Sequence, residues 1–457
     1  MDEHVGGPHP ERARLQRSGA GRDAGRHRGE APEDLILAAF RVRSFRYQWP
    51  ADLLTSWASE MESIILGWYV MVHTGSVLLL TVFGSLQFLG TLAAPMFGVL
   101  GDRVGARLML CAMRGIYAGL AALVMVLAAT DVLGPAWVFL VAGLNGIFRP
   151  NDLVMRNSLI GETIPPDHLL EAVGMSRATM DSARVGGALA GAGLSTLLGL
   201  PATYVFVTVL YLAGLALTLG VARRPPVADP SAAARGGPAD RPAPERRVTA
   251  PTRWGELKDG LQHVLTTPRL LAPMWLAFLI NLTAYPASGG LLPYVARSVY
   301  HVDATGLGWL VASFSLGGLL ASMTMVTTGG WRRPERATLV YTAVWYTLLL
   351  GFGHLQSVAP ALLLLLAAGF AQNVAMISMT ATLITAAEGR FRGRVMGVRT
   401  LAVYGLPLGL MASGALIERI GYPLTISVSA AVGLLFTVLI GIKWRASMWE
   451  RGRPATA

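Results

Sequence analysis

Apolar residues in this chain run together for stretches of about 18 to 25, and short arginine-bearing turns separate the stretches. A helix rises 1.5 Å per residue, so about 20 such residues cross a hydrocarbon layer of roughly 30 Å. The clearest runs are Ile64 to Val72, Val77 to Leu100, Leu108 to Ala129, Trp137 to Phe148, Tyr204 to Val221, Trp275 to Leu292, Leu362 to Ile384 and Ile426 to Ile442. Together they predict helices over 49–72, 77–100, 106–129, 134–157, 169–198, 201–222, 270–294, 305–327, 337–355, 358–384, 394–417 and 421–443. The expected class is an all-α membrane protein of about twelve transmembrane helices.

Charge placement orients these spans. One set of turns carries Arg103, Arg107, Arg156, the arginines between Arg223 and Arg269 with Lys258, then Arg332, Arg333, Arg336, Arg390, Arg392 and Arg394. The other set holds only Arg297 and Arg419. Lys and Arg in short loops resist translocation, so the pattern predicts an inner-membrane protein with both termini in the cytoplasm. Composition agrees with a bilayer as solvent. Of 457 residues 53% are apolar and 14% charged, and the mean hydropathy is +0.50. The net charge of +11 lies in short loops rather than on one gathered face, which argues against nucleic acid as a partner.

The longest arginine-rich connection divides the chain into two groups of six spans. The expected domains are a disordered extension at 1–38, a six-helix half at 39–222, a cytoplasmic linker at 223–269, a second half at 270–445 and a tail at 446–457. Within the linker, from Trp254, apolar residues recur at helical spacing, as in an amphipathic helix lying on a membrane surface. A weak internal repeat relates the halves: Ser158-Leu159-Ile160 precedes Val173-Gly174, and Thr382-Leu383-Ile384 precedes Val395-Met396-Gly397. Paired halves of this kind place a substrate site at their interface.

Chemistry is limited by what is missing. The only lysines are Lys258 and Lys443, so no phosphate-binding Gly-x-x-x-x-Gly-Lys-Ser/Thr loop exists. His-Glu-x-x-His and Gly-x-Ser-x-Gly are also absent. The single cysteine, Cys111, excludes an internal disulfide and a multi-cysteine metal site. The chain reads as a transporter rather than an enzyme, with no cofactor and no metal, acting as a monomer on a small molecule within the lipid bilayer.

Gly98-Val-Leu-Gly-Asp102-Arg103-Val-Gly105-Ala-Arg107, in the turn between the second and third spans, resembles the signature loop of the major facilitator superfamily. The resemblance implies that Asp102, Arg103 and Arg107 latch the two halves on the cytoplasmic side, with glycines permitting the tight turn. The equivalent Gly329-Gly330-Trp331-Arg332-Arg333-Pro334-Glu335-Arg336 lacks the aspartate. Phe40 to Trp49, Asp152 to Pro165 and Arg392-Gly-Arg394-Val-Met-Gly397 resemble the branch that contains the enterobactin exporter and macrolide and multidrug efflux proteins. That branch implies proton-driven efflux of a drug-like or siderophore-like molecule. Transport of a lipid, uptake of a metabolite, and a non-transporting membrane sensor are the alternatives left open.

An ionisable group at bilayer depth is costly unless it is paired or wetted, so each one is a functional candidate. The first span has Asp52 near its cytoplasmic end, Glu60 about 12 Å deeper, and Glu62, which stands about 200° around the helix from Glu60. Proton coupling needs a carboxylate that takes up a proton in an apolar setting and releases it when the cavity wets. Glu60, before Gly67-Trp68 as in relatives, is the first candidate, with Glu62 and Asp52 in reserve. The fourth and fifth spans place Arg149, Asp152 and Arg156, then Arg177, Asp181 and Arg184, on single helical faces. Internal charge compensation and gating fit those trios equally. Gly98, Gly105, Asp152 and Arg156 join the expected cytoplasmic latch, and Arg149, Asp181, Arg184, Asn281, Gln372, Asn373 and Tyr404 are cavity candidates that ordinary packing would also explain.

Overall fold

The computed structural model describes residues 40, 42–91, 93, 96–97, 100–101, 104–164, 169–221, 261–328, 331, 333–387 and 392–449. Among the described residues every regular element is a helix. Helix α1 is Arg43–Thr74 and ends where Gly75 turns left-handed, at φ 63°. Then come α2, Val77–Leu86, with a 3₁₀ turn at Leu89–Thr91, α3, Ala106–Ala129, and α4, Pro135–Thr163. The continuous run Leu169–Leu219 is two helices, α5 (169–198) and α6 (200–219), which meet at Gly199 (φ 76°, ψ 172°). That backbone conformation is open only to glycine at low cost.

The second part repeats the plan. Helix α7 is Pro268–Val299, α8 Ala304–Thr328, α9 Pro334–Phe352, α10 Val358–Ala386, α11 Val395–Ile420 and α12 Tyr422–Lys443. A short α13, Arg445–Met448, follows. Prolines open α4, α7 and α9, where a missing N–H costs nothing. Inside helices they have another effect. Helix α7 widens into π turns at Pro286–Gly290 and Val295–Val299. In α11, Pro407 cannot donate to the turn before it, and the helix tightens to 3₁₀ at Ala402–Tyr404.

Helix positions follow the apolar runs closely, but length and apolarity alone identify seven membrane-crossing helices rather than about twelve: α3, the run Thr179–Leu219, α7, α8, α10, α11 and α12. The physical reasons differ for the remainder. Helix α1 carries Asp52, Glu60 and Glu62, and α4 carries Arg149, Asp152 and Arg156, which lower the mean hydropathy although several of these groups are buried. Helix α2 ends at Leu86 and gives way to the 3₁₀ turn at Leu89–Thr91, too short a run to count, and 92, 94–95, 98–99 and 102–103 lie outside the described residues. The expected extension at 1–38 and most of the linker also lie outside them. Of the amphipathic segment from Trp254, only 261–266 is described, and it is helical.

The apolar core forms two main clusters, one drawn from α1 to α6 and the other chiefly from α7 to α13. Equivalent glycines set the packing in each. Gly90, beyond α2, and Gly146 of α4 lie against the Ile147 and Leu86 carbonyls, so closely that no Cβ would fit. Gly317 of α8 and Gly369 of α10 stand in the same reciprocal relation to the Leu366 and Phe314 carbonyls. Between the clusters α5 meets α8, where Gly308 faces the Ala188 carbonyl and the Ala192 methyl, and α2 meets α11, where Gly414 faces Thr81. The outside is apolar: Val205, Val209 and Leu212 of α6, and Val428, Leu435 and Leu439 of α12, are exposed at helical spacing.

Candidate functional site

Charge is concentrated inside the first cluster of helices. Asp52 of α1, fully enclosed, forms an ion pair with Arg114 of α3, and its Oδ1 lies 3.7 Å from Nε of Arg156 on α4. Arg156 also pairs with Asp152 one turn back on its own helix. Its Nη1 donates to Ser56 Oγ at 2.6 Å and to the Asp52 carbonyl at 3.2 Å. Arg114 is 0% exposed and reaches α6 as well, donating to Thr218 Oγ1 and, at 3.4 Å, to the Gly214 carbonyl. Two acids and two bases from three helices therefore form a neutral buried knot. Such a group is stable only while complete, since each lone member would be a bare charge in a medium of low dielectric.

Glu62 has a different environment. It is 3% exposed, and no ion pair reaches it among the described residues. Its Oε2 accepts hydrogen bonds from the Tyr211 hydroxyl of α6 at 3.0 Å and the Asn145 amide of α4 at 3.2 Å. Its Oε1 has no hydrogen-bond partner, and neither have the buried hydroxyls of Tyr117 and Tyr204. Tyr117 packs on Tyr211 with ring centroids 5.6 Å apart, so an aromatic, sparsely hydrogen-bonded pocket encloses the acid.

Glu60 lies on another face of α1. Its Oε1 is 3.8 Å from Nη2 of Arg149, and the two side chains are 31% and 26% exposed. Arg149 also donates to Gln87 of α2 at 3.0 Å and to the Ser59 carbonyl at 2.7 Å, while Ser63 donates to the same Gln87 oxygen at 3.1 Å. The charged trio on α4 therefore splits: Arg156 neutralises Asp152, and Arg149 turns to Glu60.

In the second cluster the candidates are neutral. Gln372 of α10 donates to the Tyr285 hydroxyl of α7 at 2.6 Å, and Tyr285 stands edge-on to Trp345 at 5.1 Å. Asn373 bonds Ser322 Oγ of α8 at 2.8 Å. Asn281 donates to its own helix, at the Ala277 carbonyl, 2.8 Å away. Tyr404 sits in the 3₁₀ turn of α11. Elsewhere Asp181 is buried on α5 and Arg184 exposed, while the Arg177 side chain lies outside the described residues. Of the expected latch, Gly98, Asp102 and Arg103 lie outside them too. Gly105 precedes α3 at φ 93°, and Arg107 donates to the Leu219 carbonyl at the end of α6.

Sequence reasoning missed Arg114, Asn145, Tyr211 and Gln87. A signal existed for the first, because an arginine seven residues into an apolar run needs a partner, and Asp52 is a buried acid of matching need. The others are ordinary polar residues until the helices assemble.

The described contacts between the two clusters gather toward one end of the bundle. Thr305 of α8 donates to Thr196 of α5 at 3.2 Å, and Ser76, before α2, reaches Glu418 of α11 at 3.4 Å. Nearer the middle, Ser85 donates to the Pro407 carbonyl at 3.1 Å. At that end a cavity of about 600 Å³ opens among α1, α3, α5, α6 and the start of α8, lined by Trp68, His73, Asp131 and Asp303. Ile65 also lines it, one turn along α1 from Glu62.

Comparison with known proteins places this arrangement. The chain matches the Major Facilitator Superfamily over residues 49–404. It is 26% identical over 390 residues, 80% of this chain and 88% of the relative, to the multidrug efflux pump Tap of Mycolicibacterium fortuitum. Among solved structures, a bacterial homologue of the human lysosomal transporter Spinster, inward-facing and unoccupied, superposes with TM-score 0.65 at 12% identity, covering 93% of this chain and 100% of that one. The nucleoside transporter NupG superposes with TM-score 0.60 at 14% identity, covering 89% and 100%. The chain belongs to the major facilitator superfamily and is a multi-pass membrane transporter, not an enzyme.

Proposed function

We propose that this transporter crosses the bilayer about twelve times and exports a drug-like or siderophore-like molecule in exchange for protons, by alternating access between halves at 39–222 and 270–445. The span number is supported by Thr179–Leu219, whose 41 residues would extend about 60 Å, twice a bilayer, if unbroken at Gly199. It is supported also by α1 and α4, whose ionised groups turn inward and pair. The arginine pattern supports an inner-membrane location, with residues 1–38, the 223–269 linker and the 446–457 tail in the cytoplasm. Contacts between the halves at the opposite end then correspond to an arrangement closed outward and open inward. The transporter works as a monomer, and its latch includes Gly98, Asp102, Arg103, Gly105 and Arg107, continued inward by the Asp152 and Arg156 pair.

The observation that carries proton exchange is Glu62: a fully enclosed carboxylate with no ion-pair partner among the described residues and one oxygen unpartnered. Such a group is costly when ionised and is relieved by binding a proton. The Tyr211 and Asn145 donors hold Oε2, which leaves Oε1 as the atom that carries the proton. The cavity one turn away lies at the outer end and is the route by which a proton reaches the acid, and release follows when the inward-open cleft wets it. Glu60, which Arg149 holds in a half-exposed position, is the acid that meets the substrate, opposite Tyr285, Gln372, Asn373, Asn281 and Tyr404. Asp52, tied to two arginines, serves the charge knot instead.

The test is proton movement in proteoliposomes holding a pH-sensitive dye, challenged with a panel of lipophilic cations and siderophores. Wild type moves protons against substrate flux. Glu62→Gln abolishes that exchange, at least a hundredfold, while energy-independent substrate exchange persists. Proton movement unchanged in Glu62→Gln would remove Glu62 from the mechanism.

A further inference from the structure

Helices α9 and α12 of the second half part on their outer face to leave a groove of about 940 Å³. Its walls are apolar and open to the outside: Val340 and Val344 come from α9, Val438 and Ile442 from α12, and each is 41% exposed or more. Gly441 lies at its floor, where a Cβ would stand in ordinary contact with Trp449 Nε1, 3.6 Å away. The wall from Arg336 to Leu348 rises about 18 Å at helical pitch, the depth of roughly one leaflet.

The mouth of the groove is cationic. Arg336, in the first turn of α9, and Arg445, just beyond α12, both line it. Arg336 Nε donates to the Trp449 carbonyl at 3.1 Å, and its guanidinium lies 5.5 Å from the Trp449 ring centroid. Carbonyl and ring thus hold the guanidinium in place without neutralising it. Lys443 stands 4.7 Å from the Trp444 ring on the adjacent turn. Among the described residues no ion pair joins any of these three cations to a carboxylate.

A one-leaflet apolar trough capped by a tryptophan and by arginines that pair with no carboxylate among the described residues fits one class of ligand. We propose that this groove binds an anionic diacyl phospholipid, with the phosphate on Arg336 and Arg445 and an acyl chain along Val340, Val344 and Val438. Charge selects the headgroup, because zwitterionic lipids would leave the cationic mouth uncompensated. Exposed valines select a chain over a protein partner, since they form a continuous lane between two helices rather than a flat patch. The site lies on the outer face of the half that carries no buried charge among the described residues, so it is separate from the proposed proton path.

The experiment uses the full chain in neutral detergent, titrated with phosphatidylglycerol or phosphatidylcholine of identical acyl chains. Native mass spectrometry reads bound lipid, and thermal unfolding reads its effect. Phosphatidylglycerol is expected to bind at least tenfold more tightly than phosphatidylcholine and to raise the unfolding temperature. The double variant R336Q/R445Q should lose that tenfold preference while its phosphatidylcholine affinity stays put. Val438→Trp, which keeps both arginines and fills an exposed position, should weaken phosphatidylglycerol binding on its own, so the proposal remains testable if the double variant folds poorly. Equal binding of the two lipids, or an unchanged preference in R336Q/R445Q, would overturn it. Binding that occurs only after residues 450–457 are removed would identify the tail as the occupant and overturn it as well.

Discussion

The two halves of this transporter share a helical plan and differ in what they bury. In the first, the interior holds Asp52, Glu62, Arg114, Asp152, Arg156 and Asp181. In the second, the buried polar groups among the described residues are Ser, Thr, Gln and Asn. The glycine contacts between α2 and α4, and between α8 and α10, are nearly superposable in kind, so the scaffold is common and the electrostatics are not. Charges that can be paired, protonated or exposed are groups whose energy changes when a cavity wets, whereas amides and hydroxyls keep their partners in either state. Under the proposed proton exchange, the difference would put energy coupling in the first half, and shape and hydrogen bonding in the second.

Removing a member of the charge knot tests that division most severely. Arg114→Leu leaves Asp52 without its nearest partner, and breaking a buried pair from one side costs about 3–5 kcal/mol. The expected outcome is a large fall in the unfolding temperature of the purified protein. The double variant Asp52→Leu with Arg114→Leu should recover part of the loss, because no bare charge of that pair remains. An Arg114→Leu protein as stable as wild type would mean that the knot is solvated and that the halves do not differ as described.

The glycine contacts offer the opposite check, since here the halves should respond alike. Gly146→Ala and Gly369→Ala each drive a Cβ into a carbonyl of the facing helix. Overpacking of this sort costs about 1–3 kcal/mol. Similar losses for the two would sharpen the comparison by showing that only charge separates the halves. A loss confined to one would show that the scaffold also differs, and thermal unfolding of the two variants side by side decides it.

How much of this could be read from the chain follows from the range of each interaction. Helix positions depend on local apolar runs, and the expected 106–129, 358–384 and 421–443 correspond to Ala106–Ala129, Val358–Ala386 and Tyr422–Lys443. The Asp152 and Arg156 pair is one turn apart and equally visible. Glu62 was legible as a deep acid, but its fuller enclosure than Glu60 was not, because Asn145 and Tyr211 lie 83 and 149 positions away. Arg114 was hidden for another reason: one arginine in an apolar span hardly lowers its mean, so averaging conceals the group with the greatest need of a partner. The lipid-facing groove depends on where α12 and Trp449 settle against α9, which no local pattern encodes.

The smallest effect belongs to the neutral half. Gln372→Leu removes the amide that donates to the Tyr285 hydroxyl and leaves that hydroxyl to find another partner. A neutral hydrogen bond contributes about 0.5–1.5 kcal/mol net, so stability should fall by about 1 kcal/mol. Tyr285 would then be held only by its edge contact with Trp345, and the wall of the proposed cleft would lose a fixed polar point. Affinities across a substrate panel should shift by less than about tenfold, which is the size of a 1.4 kcal/mol change. The number of protons moved per substrate should stay the same, because no titrating group is touched. A change in that ratio, measured by dye response against radiolabelled flux, would put coupling in both halves and dissolve the division between them.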